Sequence, residues 1–152
     1  MAADNLDTRN ILFVYGTLLL PTGDAPVDMA LSASARSMGR GYVHGLLFDL
    51  GEYPGATGLP PGDAETPRKV WGALLKLSDP DAVFSALDAY EGFDMRSPST
   101  SEFIRTTTEV MLPESGNIFM SQIYFYNFPI TGRKIISSGD YLAFKQAEET
   151  RP

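Results

Sequence analysis

The sequence predicts an α+β fold: a strongly curved sheet or barrel with helices packed on its outside. Short apolar, β-prone runs recur at residues 11–15, 41–50, 69–77, 103–112 and 118–126. The strongest helical signal falls at residues 79–90. The resulting order is strand, weak helix, two strands, helix, hairpin and weak helix. Strands and helices do not alternate, as a doubly wound sheet would require. With 152 residues the chain has the length of one domain. Its apolar fraction of 43% is near the globular norm, which excludes a wholly disordered chain. The predicted division is a flexible polar leader over residues 1–9 and a single domain over 10–148.

Ile11 to Tyr15 is an apolar run ended by Gly16, the pattern of a buried strand. Residues 21–26, with Pro21, Gly23 and Pro26, read as loop. A short helix is predicted over Val27–Ala35, capped by Asp24 with Pro26 in its first turn. Gly41–Leu50 reads as a strand in which Gly45 permits a bend or a close backbone approach. Gly51–Pro67 is dense in breakers, including Pro54-Gly55 and Pro60-Pro61-Gly62, and reads as a long loop. Lys69–Leu77 is the next strand. Asp79 fits an N-cap and Pro80 a first helical position. Val83, Phe84, Leu87 and Tyr90 then form one apolar face, and Gly92 stops the helix. Phe93–Glu102 is polar loop. Phe103–Leu112 and Ile118–Tyr126 form a hairpin around the turn Pro113–Gly116. Gly139-Asp140 precedes a short C-terminal helix.

Charge and composition exclude several classes of chemistry. Twelve Lys and Arg stand against nineteen Asp and Glu, a net charge of −7. Nucleic-acid backbones call for a basic footprint, so no nucleic-acid partner is expected. Anionic membrane surfaces repel such a chain. The longest apolar stretches are far too short to span a bilayer, and the first ten residues carry Asp4 and Asp7 with no apolar run. A cytoplasmic location follows by default. There is no cysteine, so no disulfide, thiolate metal site or cysteine nucleophile. The one histidine, His44, has no acid cluster near it in sequence and reads as structural. Ser137-Ser138-Gly139 lacks the Gly-x-Ser-x-Gly pattern of a nucleophile elbow.

What remains is carboxylates, tyrosines, hydroxyls and backbone amides. Tyr15-Gly16-Thr17-Leu18 lies where a strand ends, and successive amides there can turn inward around an anion. An ordinary strand-ending turn has the same sequence. Glu91 closes the Asp79–Tyr90 helix at the negative end of its dipole, which opposes ionisation, as burial does. A carboxyl raised in this way suits general acid/base work near neutral pH. A solvated helix-end Glu costs little and is the plainer reading of position alone. Arg105 binds a carboxylate ligand or, more simply, pairs with a neighbouring acid. Tyr53, Tyr124 and Tyr126 are candidate pocket aromatics, with core packing the default for all three.

Together these pieces resemble the gamma-glutamylcyclotransferase-like (AIG2-like) superfamily. The resemblance rests on Phe13-Val14-Tyr15-Gly16-Thr17-Leu18, then Gly51-Glu52-Tyr53-Pro54-Gly55, then Leu87-Asp88-Ala89-Tyr90-Glu91-Gly92-Phe93. Phe103-Ile104-Arg105 and Ser138-Gly139-Asp140-Tyr141 follow in the family's order. The resemblance implies a small mixed β-barrel with flanking helices. It also implies cyclotransferase action on a gamma-glutamyl peptide or amine, releasing 5-oxoproline with no cofactor and no metal. By position, the amides of Tyr15, Gly16, Thr17 and Leu18 would hold the amino-acid end of this small-molecule substrate. Glu91 would be the acid/base, Arg105 would shape the site, and Tyr53 and Tyr126 would line it. The chain departs from the family pattern at Phe103, where Tyr is frequent, and at Tyr141, where Trp is common. Loops 54–67 and 93–102 are expected to border the pocket. Two other readings stay open: a non-catalytic small-molecule-binding module of the same fold, and a pathway-specific enzyme that removes a gamma-glutamyl group. Oligomeric state is not legible.

Overall fold

The computed structural model describes residues 8–16, 22–58 and 68–149. Seven strands and three helices are present among them: β1 (Ile11–Val14), α1 (Ala25–Ser34), β2 (Ala35–Asp49), β3 (Pro54–Gly58), β4 (Lys69–Leu77), α2 (Pro80–Glu91), β5 (Phe103–Leu112), β6 (Asn117–Tyr126), β7 (Lys134–Ile135) and α3 (Tyr141–Glu149). Most of the predicted leader, residues 1–7, lies outside the described residues.

Five strands close into a barrel in the order β2-β4-β1-β6-β5, with β5 returning to β2 through the Tyr42–Met111 pair. Neighbours are antiparallel except β1 and β6, which run parallel, so the barrel is mixed. β3 and β7 lie outside the barrel, both paired with the far end of β2. No described helix is long and apolar enough to cross a membrane.

Strand β1 explains the arrangement. All four of its residues are buried. Ile11 and Phe13 point into one core with Val43, Leu74 and Ile123; Leu12 and Val14 point into a second with Val83 and Leu87 of α2. A strand buried on both faces reads as a continuous apolar run. Each fully buried large side chain contributes about 1.5–3 kcal/mol. Because α2 lies against the outward face of β1, its last turn is brought beside the end of that strand.

Two expectations change. The segment read as one long loop from Gly51 opens with strand β3, whose Pro54 pairs with Asp49. Proline is tolerated there because it begins an edge strand, where the missing N–H costs no ladder bond. Residues 59–67 lie outside the described residues. Strand β2 also starts earlier than its apolar run, at Ala35 directly after α1. Its first six residues are polar or small except Met38, and they include a register shift between Ser37 and Gly39. That shift is a bulge, which bends the strand around the barrel.

Candidate active site

The local sequence of α2 fixes where Glu91 sits. Asp79 accepts the amide of Ala82 at the N-terminus. Gly92, at φ 70° and ψ 35°, ends the helix in the left-handed conformation. The amide of Phe93 returns to the Asp88 carbonyl at 2.8 Å and that of Gly92 to the Ala89 carbonyl at 3.3 Å. A helix closed this way has a defined last turn. Val83, Phe84 and Leu87 anchor that helix in the core. Tyr90, predicted to share their face, is instead 38% exposed at the rim of a cavity.

The cavity has a volume of about 300 Å³. Its floor is Phe13, Val14, Tyr15, Phe103 and Tyr124, all buried. Glu52 and Tyr90 are exposed and mark its mouth. Between them stand Gly16, Tyr53, Pro54, Glu91 and Glu102. Glu91 is half-buried here, and its carboxyl is pushed up to about 8, first by desolvation and then by the nearby Glu102 charge. No Lys, Arg or His lines the cavity among the described residues.

Three elements meet to hold this geometry. Tyr53 comes from the tight β2–β3 connection, where the Leu50 amide donates to the Tyr53 carbonyl at 3.1 Å. Its hydroxyl donates to Glu102, and that bond, with burial, pushes the phenol up to about 12. Glu102 is fixed through its backbone, its amide donating to the Gly92 carbonyl and its carbonyl accepting from the Asn127 amide. The Tyr15 hydroxyl donates to the Tyr124 carbonyl at 2.6 Å and accepts from the Ala56 amide at 3.2 Å. It therefore ties β1 to β6 and β3, and burial raises its phenol.

Asp88, one turn before Glu91, has the opposite surroundings. Arg105 donates to it through Nε at 2.9 Å and Nη2 at 3.1 Å, and the Tyr124 hydroxyl through a 2.6 Å bond. The guanidinium also lies over the Phe84 ring, 4.5 Å from its centroid. A bidentate pair of this kind is geometrically exacting. It locks the Tyr124 ring, whose phenol is raised by burial and by Asp88, against the cavity floor.

The predicted site residues distribute unevenly. Tyr15, Gly16, Tyr53 and Glu91 line the cavity together. Tyr126, expected to line the cavity, does not, and neither does Arg105, expected to shape the site by contact or by support. Arg105 is engaged by Asp88, the pairing its strand position favoured. Tyr126 packs edge-on to Phe103 at 5.3 Å, behind the floor. Thr17 and Leu18 lie outside the described residues. Gly16 is not in the left-handed region. The structure gives it a different reason: a Cβ there would meet the Pro54 ring at 2.5 Å. Phe103, in place of the family's frequent Tyr, is a buried ring against Tyr53 and Tyr126. His44 is exposed on the barrel's outside, edge-on to Tyr42. Sequence reasoning missed Glu102 and left Tyr124 at a core-packing default. Among the described residues no group of three His, Asp or Glu is placed to hold a metal ion.

A small mixed barrel with a carboxyl raised by burial at the end of α2, facing a cavity beside β1, is the arrangement these residues build. The chain belongs to the gamma-glutamyl cyclotransferase, AIG2-like family, whose model matches residues 12–143. The solution structure of protein ytfP from Escherichia coli superposes with a TM-score of 0.60 at 26% identity, covering 89% of this chain and 98% of that one. A crystal structure of an AIG2-like protein from Mus musculus gives 0.57 at 24% identity, with 79% of each chain covered. An uncharacterized protein from Pyrococcus horikoshii gives 0.57 at 14% identity, covering 91% of this chain and 95% of that one. The last two share the fold. No curated protein matches the chain.

Proposed function

We propose that the protein is a cofactor-independent cyclotransferase that converts a gamma-glutamyl amide to 5-oxoproline and the free amine. The observation that carries this reading is Glu91: a carboxyl raised to about 8, in a cavity whose described lining holds no cation.

The nucleophile in this reaction belongs to the substrate. Its α-amine attacks its own γ-carbonyl carbon, a C–N bond forms, and a five-membered lactam closes. The original amide C–N bond breaks. The α-ammonium gives up two protons in all. Glu91, in its ionised fraction, takes the first and hands it to the departing nitrogen; ionised again, it takes the second as the ring nitrogen becomes an amide and passes it to water, where the free amine is protonated. No side-chain nucleophile is required. The protein's task is to fold the substrate into attack geometry and move a proton, and each effect is large enough to matter. The floor rings Phe103 and Tyr124 and the wall where Gly16 packs against Pro54 would restrict the glutamyl chain. In this reading the amides of Tyr15 and Gly16, in the cavity wall just past β1, receive the developing oxyanion or the α-carboxylate. Arg105 acts through Asp88 and Tyr124 as a positioning residue.

The test is 5-oxoproline release, measured by mass spectrometry, over gamma-glutamyl amino acids, gamma-glutamyl-ε-lysine, gamma-glutamyl amines and glutathione. Release by the natural protein and none by Glu91→Gln supports the reaction and the residue together. Release that persists undiminished in Glu91→Gln removes Glu91 from the mechanism. No release on any member of the panel contradicts the cyclotransferase reading.

A further inference from the structure

The outward face of the barrel is covered unevenly. Over one half of β6, Tyr124 and Tyr126 pack with Val83 and Leu87 of α2. Nearer the hairpin turn the same face of β6 is bare, and Ile118 and Met120 stand 57% and 45% exposed. The barrel register carries this bare surface sideways. Ile118 pairs with Met111 on β5, Met111 with Tyr42 on β2, and Tyr42 with Trp71 on β4. Directly opposed residues of an antiparallel pair stand on one face. Four large apolar side chains therefore form one row across four strands, with the Tyr42 and Trp71 rings 5.0 Å apart. The next row on that face holds Met120 and Glu109 on the hairpin, and His44 and Lys69 on β2 and β4. Apolar residues scattered singly over a surface call for no explanation; a contiguous row does.

We infer that this face is the interface of a symmetric homodimer, with the two-fold axis running along the seam between β2 and β5. Such an axis lays β2 and β4 of one copy over β5 and β6 of the other. Tyr42 and Trp71 then meet Met111 and Ile118, and His44 and Lys69 meet Glu109 and Met120. A two-fold contact needs a patch that is complementary to itself. This patch is: its apolar row faces the same row, and its cation on β4 approaches its acid on β5, twice in one interface. The charge pattern also selects a second copy as the occupant. A chain of net charge −7 repels its copies over most of its surface, and this face offers Lys69 to the acid of another copy. None of these residues lines the cavity at the end of α2. The inference therefore stands apart from the cyclotransferase reading, and both copies keep their cavities open.

Sedimentation equilibrium on the full chain tests this. It should give a dimer, twice the 16.6 kDa chain mass, with a Kd below about 100 μM. Ile118→Lys should raise that Kd at least about tenfold while circular dichroism stays native. Lys69→Glu and Glu109→Lys, each counted twice in a two-fold interface, should each weaken the dimer by about tenfold. Mixed in equal amounts, these two variants should form a heterodimer within about threefold of the natural affinity, because every opposed charge pair is then restored. Neither a misfolded variant nor a charge acting within one copy can recover on mixing. A chain that stays monomeric at about 100 μM overturns the inference. So does a dimer indifferent to Ile118→Lys, or a pair of charge variants whose mixture associates no better than either alone.

Discussion

The last turn of α2 and the outer barrel face around Trp71 treat charge in contrasting ways. On the outer face, each charge is answered. Arg40 lies over the Trp71 ring at 4.0 Å and pairs with Asp140 at 2.9 Å; Lys69 lies over the Tyr42 ring at 4.6 Å. These groups are largely solvated, and such pairs contribute little. At the end of α2, one carboxylate is answered twice over and the next is not answered by any cation. Asp88 accepts from Arg105 and Tyr124, whereas Glu91, one turn on, faces the cavity beside another acid. Compensation builds the scaffold, and its local absence leaves a proton free to move.

Removing the uncompensated group should have the largest effect. Glu91→Gln should lower kcat for 5-oxoproline release by about a thousandfold or more while circular dichroism stays native. The same variant sharpens the contrast through stability. The Glu91 carboxyl titrates at about 8 when folded, against 4.5 as its ordinary value, so the folded state holds that proton more tightly. The stability this proton contributes is fully present below 4.5 and is lost as pH rises through 8. The natural protein should therefore lose thermal stability across that window relative to Glu91→Gln. The gap should be flat above it, as melting curves at several pH values will show.

Breaking the compensated carboxylate comes next. Arg105→Met strips Asp88 of its cation and should cost about 2–3 kcal/mol, less than a fully buried pair because both side chains are about one-fifth exposed. Melting temperature should fall by about 5–10 °C. Activity should fall too, through a displaced Tyr124 ring, and a thermal melt beside a rate assay separates the two losses. A smaller effect is expected where Gly16 packs against Pro54. Gly16→Ala places a methyl against the Pro54 ring and should raise KM more than it lowers kcat, which steady-state kinetics resolves. On the outer face, Arg40→Ala should change stability by less than about 1 kcal/mol and leave 5-oxoproline release unaltered. A large effect there would erase the contrast.

The helix carrying Glu91 was legible because its signals are local: Asp79 as cap, Pro80 in the first turn, apolar spacing, and Gly92 as stop. The hairpin was legible for the same reason, its alternating runs meeting in register from Phe103–Tyr126 to Leu112–Asn117. Strand β3 was hidden by its own Pro54-Gly55, breakers everywhere except at an edge-strand start. The early half of β2 was hidden because its outward residues and bulge show no alternation. Glu102 left no mark in a polar loop, since its meaning comes from Tyr53, forty-nine residues away. Tyr124 and Tyr126 share a strand face, and only closure of the barrel decides that one borders the cavity and the other packs behind Phe103.

The most direct measurement is a carbon-13 NMR titration of the Glu91 side-chain carboxyl, assigned by its loss in Glu91→Gln. The account predicts a midpoint near 8, moving downward in Glu102→Gln as the neighbouring charge is removed. A midpoint near the ordinary 4.5 would contradict it, because Glu91 would then be a solvated helix-end carboxylate.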